Sequence, residues 1–163
     1  MRYHNITKDD MLNGDGLRVV LWTAGCEHRC PGCHNQITWD EQGGLPFGEA
    51  ETDEIYAELE HDYISGITFT GGDPLHPSNR SEIARIAREI KQRFPQKTIW
   101  LYTGYLWEDV KDLEAVRLSD VVVDGKFEQD KLDPKLHWRG SSNQRVIDVE
   151  QSLKSGGVVL YCD

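Results

Sequence analysis

The chain has 163 residues, with 28 acidic against 18 basic side chains and a formal net charge of −10. This acidic balance argues against non-specific binding to nucleic acid or to an anionic membrane, because both bind basic protein surfaces. A chain of this length with 38% hydrophobic and 28% charged residues is typical of one globular domain, here residues 1–163. No apolar run approaches the roughly 18–20 residues that cross a bilayer, and Met1–Asn5 lacks the apolar core of a signal peptide. We therefore expect a cytoplasmic protein with reduced cysteines and with neither a nucleic-acid nor a membrane partner.

Apolar runs and helical spacing alternate along the chain and predict strands and helices in turn. Strands are predicted at 17–23, 66–70, 98–102 and 121–123, with late strands at 146–149 and 158–161. The first helix is predicted from near Thr52, and the second from a Ser81 cap to a stop before Pro95. A third helix is predicted across 106–113.

This order of elements predicts an α/β fold with a mostly parallel sheet and right-handed crossovers. The unusual residues follow the strands: cysteines after the first, Gly71–Pro74 after the second, Thr103–Tyr105 after the third and Asp124–Phe127 after the fourth. In barrel-like α/β folds such loops converge on one site. A full eight-unit barrel needs about 200–250 residues, so we expect an incomplete, open β/α barrel. A doubly wound open sheet is the structural alternative.

Three cysteines lie close together after the first predicted strand, at Cys26, Cys30 and Cys33. A cubane iron–sulfur cluster normally takes four thiolates, so three local ones would leave one iron open to a substrate or cofactor. The alternative is a structural zinc site in a binding module, with His28, His34 or Cys162 as the fourth ligand. The spacing alone does not decide between these two sites, although Cys162, near the end of the sequence, reads as an incidental free thiol.

The segment Gly71–Pro74 is the second motif, because a double glycine after a strand lets the backbone approach a ligand closely. Alone it reads as an ordinary turn. Together with the three cysteines it resembles the radical S-adenosylmethionine superfamily. In that superfamily the amino and carboxylate groups of the cofactor chelate the iron that has no cysteine ligand. That superfamily usually has glutamate where this chain has Asp73, and often an aromatic residue where it has Gly32.

Further segments, in order and at sensible spacing over nearly the whole chain, narrow the resemblance. They are Asn13–Arg18, Pro31–Asn35, Gly71–Pro77, Tyr102–Tyr105, Val123–Phe127 and Trp138–Gln144. The chain thus resembles the activating proteins of class III, anaerobic ribonucleoside-triphosphate reductases. An activase for a formate-lyase type of glycyl-radical enzyme is the alternative within the superfamily, and the segment 138–144 argues against it.

The resemblance implies a single radical S-adenosylmethionine activase domain and assigns roles to particular residues. Cys26, Cys30 and Cys33 would hold a 4Fe–4S cluster and act catalytically through it. The cofactor S-adenosylmethionine would lie against Gly32, Cys33, His34, Gly71, Gly72, Asp73 and Pro74. Its reductive cleavage would place a glycyl radical on the partner reductase. An electron donor such as flavodoxin, and a homodimer or a heterotetramer with the reductase, are further expectations.

The glycine segment yields one prediction about a variant. If the backbone at Gly72 approaches the cofactor directly, Gly72→Val should block cofactor binding and spare the cluster.

Overall fold

The computed structural model describes residues 1–163 and shows one eight-stranded sheet with five α-helices. The strands are β1 (Arg2–Asp10), β2 (Arg18–Thr23), β3 (Leu45–Pro46), β4 (Gly66–Gly71), β5 (Thr98–Tyr102), β6 (Val121–Asp124), β7 (Arg145–Asp148) and β8 (Leu160–Cys162). The helices are α1 (Glu49–Leu59), α2 (Arg80–Arg93), α3 (Trp107–Val110), α4 (Glu114–Leu118) and α5 (Val149–Ser155). None of these helices has the length and apolar character that a membrane span requires.

The sheet is mixed, which corrects the prediction of a mostly parallel sheet. Its strand order is β3-β1-β2-β4-β5-β6-β7-β8, and only the neighbours β2/β4, β4/β5 and β5/β6 are parallel. The other four pairs are antiparallel. Connection length explains part of this, because parallel neighbours need a crossover of about a dozen residues or more. Residues 11–17 between β1 and β2, and 149–159 between β7 and β8, are too few.

The sheet stays open, with β3 at one edge and β8 at the other. The predicted open α/β architecture is therefore confirmed, while curvature of the radical S-adenosylmethionine barrel type stays a prediction. Strands β1 and β3 were not predicted. The residues of β1 are mostly polar and none of them is fully buried, so the strand carries little of the apolar pattern that marks β4 or β6.

One face of the sheet packs against the helices and forms a core of 24 buried residues. Ile67 and Phe69 of β4 meet the apolar stripe of α2, which includes Ile83 and Ile90. Burying each of these side chains contributes about 1.5–3 kcal/mol. This core fixes the parallel strands and so fixes the loops that follow them.

The opposite face carries a smaller apolar cluster and one buried arginine. Trp100, Val121 and Val123 form the cluster together with Val146. Arg18, fully buried beside Trp100, donates from Nε to Thr68 Oγ1 at 2.9 Å and from Nη2 to Ile67 O at 2.8 Å. Burial lowers the pKa of Arg18 to about 10. Its hydrogen bonds bind the amino ends of the parallel strands together, which leaves the carboxyl ends for the site.

Two predicted helices differ in detail from the structure. The second begins at Arg80, so the cap is Asn79 and not the predicted Ser81. The side-chain amide of Asn79 instead donates to Ala24 O at 2.8 Å and Asp73 O at 3.0 Å, which ties the helix start to two loops of the site. Of the predicted helix across 106–113, the structure shows only α3, and the separate short helix α4 begins just after that range.

Candidate cluster and cofactor site

A cavity of about 220 Å³ lies at the carboxyl ends of the parallel strands and gathers most of the predicted site residues. Its lining includes Cys26, Cys30, Cys33, His34, Gly71, Gly72 and Asp73. Gly32 and Pro74 lie in the same two segments but outside the lining. Cys162 belongs to β8 and packs against the Trp100 cluster on the sheet face, away from the cavity. The expected convergence of loops that follow the parallel strands is therefore observed.

Backbone contacts fold the loop that carries the three cysteines, which we call the cysteine loop (residues 24–35). The Gly25 amide donates to Thr38 O at 2.7 Å, and the Cys26 amide donates to Trp39 O at 3.1 Å. Arg29, with φ of 50°, and Gly32, with φ of 77°, adopt left-handed backbone, which turns the loop sharply on either side of Cys30. All three thiols are free and half-buried.

Backbone amides lie near two of the three sulfurs. The Asn35 amide donates to Cys33 Sγ at 3.4 Å, and the amides of His28 and Arg29 lie where they favour the thiolate form of Cys26. Burial raises the pKa of the Cys26 thiol to about 11, although these two amides oppose the rise. A thiolate at Cys26 therefore needs a positive partner, which a bound metal supplies.

Three thiols on one short loop are the kind of donor set that can hold an iron–sulfur cluster, because cysteine thiolates bind the irons of such clusters. Amide donors to sulfur are among the contacts that set cluster potentials. Trp39, another lining residue, keeps its indole Nε1 buried and without a partner in this chain, which leaves a donor for a bound group.

The two glycines of the second motif are required by the chain's own packing. A Cβ at Gly71, where φ is +104°, would lie 2.5 Å from Thr23 N. A Cβ at Gly72 would lie 2.5 Å from Gly25 O and 2.9 Å from Thr38 O. The close approach at Gly72 is therefore to the backbone that carries the cysteines. The predicted selectivity of Gly72→Val changes accordingly, because the added side chain would displace the cysteine loop itself.

The carboxylate of Asp73 is buried, with the residue 2% exposed, and it joins three segments of the chain. It accepts from the Leu75 amide at 2.9 Å and from the Gly104 amide at 2.9 Å. The Thr103 hydroxyl donates to both of its oxygens, at 2.9 and 3.0 Å. His28 Nε2 lies 2.6 Å from Asp73 Oδ2. His28, one of the candidate zinc ligands, is therefore engaged by a carboxylate.

The sequence marks Thr103–Tyr105 and Asp124–Phe127 only by their place after strands, and Thr103, Gly104 and Phe127 of these segments line the cavity. Asn35 and Trp39 also line it, and the sequence assigned no role to either. Arg145 donates to Asp124 and to Glu108, and these two carboxylates raise its pKa.

A larger cavity, of about 560 Å³, lies near the amino ends of the parallel strands. Five of its fourteen lining residues are acidic, among them Asp15, Asp62 and Asp120, and none is a cysteine. Size therefore does not identify the site, whereas the thiols and the glycine segment do.

Comparison with known proteins agrees with this site. Residues 12–147 match a family described as "4Fe-4S single cluster domain", a region that contains the cysteine loop and Gly71–Pro74 but not Cys162. The chain is 48% identical over 146 residues to the anaerobic ribonucleoside-triphosphate reductase-activating protein of Enterobacteria phage T4, covering 90% of this chain and 93% of that protein. The proteins of the same name from Escherichia coli K12 and Haemophilus influenzae are 45% and 38% identical over 150 residues, each covering 90% of this chain and 97% of the relative. The iron–sulfur family favours a cluster over the zinc site that the cysteines alone left open.

Proposed function

The chain belongs to the family of anaerobic ribonucleoside-triphosphate reductase-activating proteins, and we propose that it is the enzyme that activates such a reductase by reductive cleavage of S-adenosylmethionine. The observation that carries the proposal is one cavity lined both by three free cysteines and by the Gly71–Gly72 turn. The reductases named in those relatives are the proposed protein substrate.

Cys26, Cys30 and Cys33 are the residues that would hold a 4Fe–4S cluster, one thiolate to each of three irons. When bound and reduced by an electron donor, the cluster would supply one electron for cleavage of a sulfonium carbon–sulfur bond of S-adenosylmethionine, and the products of that cleavage would be methionine and 5′-deoxyadenosine, whose added hydrogen would come from a glycine of the reductase. The protein supplies placement and exclusion of side reactions. The amides near Cys26 and the amide that donates to Cys33 would stabilise the two thiolates.

The remaining proposed contacts surround the cofactor. Gly71 and Gly72 expose backbone at the cavity, while Asp73 and Pro74 continue the same turn. His34 lies on the cavity wall with its ring centroid 5.8 Å from that of Phe127, and with Gly32 and Cys33 it would border the adenine. An adenosyl radical attacks any nearby C–H bond, so a small lined cavity that holds reacting atoms about 3–3.5 Å apart suits this chemistry.

The test is cleavage of S-adenosylmethionine by the anaerobically reconstituted, chemically reduced protein. We expect about four irons per chain, methionine and 5′-deoxyadenosine as products, and a glycyl radical signal by electron paramagnetic resonance only when the reductase is present. A formate-lyase type partner offered in parallel should stay without a signal. A glycyl radical on the formate-lyase type partner alone would overturn the proposed substrate. If S-adenosylmethionine is not cleaved in the presence of either partner, the proposed enzymatic activity is wrong.

The two kinds of cysteine provide a matched control. Cys30→Ala should lose the brown colour and the cleavage activity. Cys162→Ala, outside the cavity, should keep both. The reverse result would contradict the assignment of ligands.

A further inference from the structure

His28 and Asp73 form a buried side-chain contact between the two halves of the candidate site. His28 lies on the cysteine loop, between Cys26 and Cys30, and Asp73 lies in the turn after β4. Their side chains are only 7% and 3% exposed, and His28 Nε2 is 2.6 Å from Asp73 Oδ2. The pair therefore joins segments that are 45 residues apart in the sequence.

The carboxylate of Asp73 has no acceptor site left for a ligand. An ionised carboxylate has about four lone-pair sites. Donors from this chain number four: the amides of Leu75 and Gly104, the hydroxyl of Thr103 and the ring of His28. A cofactor amino group could reach this carboxylate only by displacing one of them. The carboxylate of Asp73 thus stabilises the chain's own structure.

The chain also forms a fitted slot for the His28 ring. A Cβ at Gly104 would clash with His28 Cδ2, so glycine at this position leaves room for the ring. The ring also packs edge-on against Tyr105, with centroids 4.6 Å apart. His28 and Gly104 line both the cysteine cavity and a neighbouring groove of about 530 Å³. The ring is therefore part of the wall between the two.

We propose that His28, held by Asp73, is a positioning residue that clamps the cysteine loop against the ends of β4 and β5. The clamp fixes the distance between the cluster's three protein ligands and the Gly71–Gly72 backbone, and so fixes the orientation in which S-adenosylmethionine reaches the iron without a cysteine. This inference rests on the proposed function and adds to it a role for two side chains that act through the loop. Neither side chain needs to touch the cofactor.

The first test needs no S-adenosylmethionine. His28→Phe keeps an aromatic ring and removes the donor, whereas His28→Gln keeps an N–H near the position of Nε2. In the reconstituted protein, hydrogen exchange of peptides covering 24–35 and 103–105 should be faster in His28→Phe and close to wild type in His28→Gln. His61→Phe, which replaces a ring stacked on Tyr63 away from the cavity, is the control and should leave both peptides unchanged. Unchanged exchange in His28→Phe would overturn the clamp even if the protein never binds S-adenosylmethionine.

The second test measures the cofactor. Replacing a residue that orients a metal ligand typically costs 10–100-fold in affinity or activity. We expect His28→Phe to keep its iron content, to raise the Kd for S-adenosylmethionine about 10-fold or more, and to weaken the change that the cofactor causes in the electron paramagnetic resonance spectrum of the reduced cluster. His28→Gln should restore both values to within about threefold.

The outcomes separate the two proposals. Faster exchange in His28→Phe with an unchanged Kd and spectrum would reduce the pair to a purely structural contact and overturn the positioning role. If wild-type protein binds no S-adenosylmethionine, the proposed function is wrong. The hydrogen-exchange result would then still show whether His28 holds the cysteine loop in place.

Discussion

Gly72 lies where the turn after β4 touches the backbone that carries the cysteines. Because a Cβ there would be 2.5 Å from Gly25 O, any larger residue must push the cysteine loop away. We expect Gly72→Ala to lower the iron retained after reconstitution at least severalfold, and Gly72→Val to abolish cluster assembly along with cofactor binding. Iron and sulfide analysis with the visible absorption spectrum of each variant would measure this.

Gly157→Ala is the matched control, because a Cβ at that position meets nothing within 4 Å and its backbone is not left-handed. It should assemble a full cluster. A Gly72→Val protein with wild-type iron content and lost cofactor affinity would restore the simpler idea that Gly72 only makes room for the ligand.

Helices α1 and α2 are joined by a carboxylate whose protonation should weaken the fold. Glu89 of α2 accepts from the Tyr56 hydroxyl of α1 and from Arg85 Nη1 at 2.9 Å, and these contacts lower the pKa of Glu89, the Tyr56 bond being the larger cause. A carboxylate with a lowered folded pKa binds fewer protons in the native state, so its stabilisation is complete above its unfolded pKa of about 4.3 and is lost as pH falls through the folded value. We expect urea midpoints to fall between about pH 5 and 3, and to fall less steeply in Glu89→Gln. Glu60→Gln, just after α1, is the control and should show the wild-type dependence of the urea midpoint on pH. If Glu89→Gln also shows the wild-type dependence, protonation of Glu89 is not what weakens the fold.

At the scale of elements, the sequence pattern predicts best where burial is complete. Strands β2, β4, β5 and β6 and helix α2 were predicted within a few residues, because each is an apolar run or a clear helical stripe. Val121–Val123 is continuous in apolar residues since Val122 faces the helix-side core while its neighbours face the Trp100 cluster. The antiparallel edges were not predicted, because the direction of a strand depends on connection length and partner choice, which local periodicity does not contain.

At the scale of the whole molecule, the sequence could predict that the three cysteines and the Gly71–Gly72 turn lie close together. It could not predict the contacts that join them. Both motifs follow parallel strands, and such loops share one edge of a sheet. The hydrogen bond between His28 and Asp73, and the approach of Gly72 to Gly25 O, join residues far apart in the sequence and depend on tertiary packing. The contact of Gly72 with the Gly25 backbone therefore had to come from the structure, and its contact with the cofactor stays a prediction.

The open architecture also predicts how the protein responds to air. The sheet ends at β3 and β8 without closing, and the three cysteines remain half-exposed at the cavity. A cluster held there with one iron lacking a cysteine ligand should lose iron in oxygen, after which the thiols can oxidise. We expect aeration to bleach the visible absorption and to remove S-adenosylmethionine cleavage. A thiol reductant can reverse early sulfenic or disulfide products, so anaerobic reduction and reconstitution soon after exposure should restore activity. Longer exposure should produce sulfinic or sulfonic acids, which mass spectrometry would detect on Cys26, Cys30 or Cys33. Protein that keeps full iron and activity after prolonged aeration would show that the cavity shields its contents from oxygen.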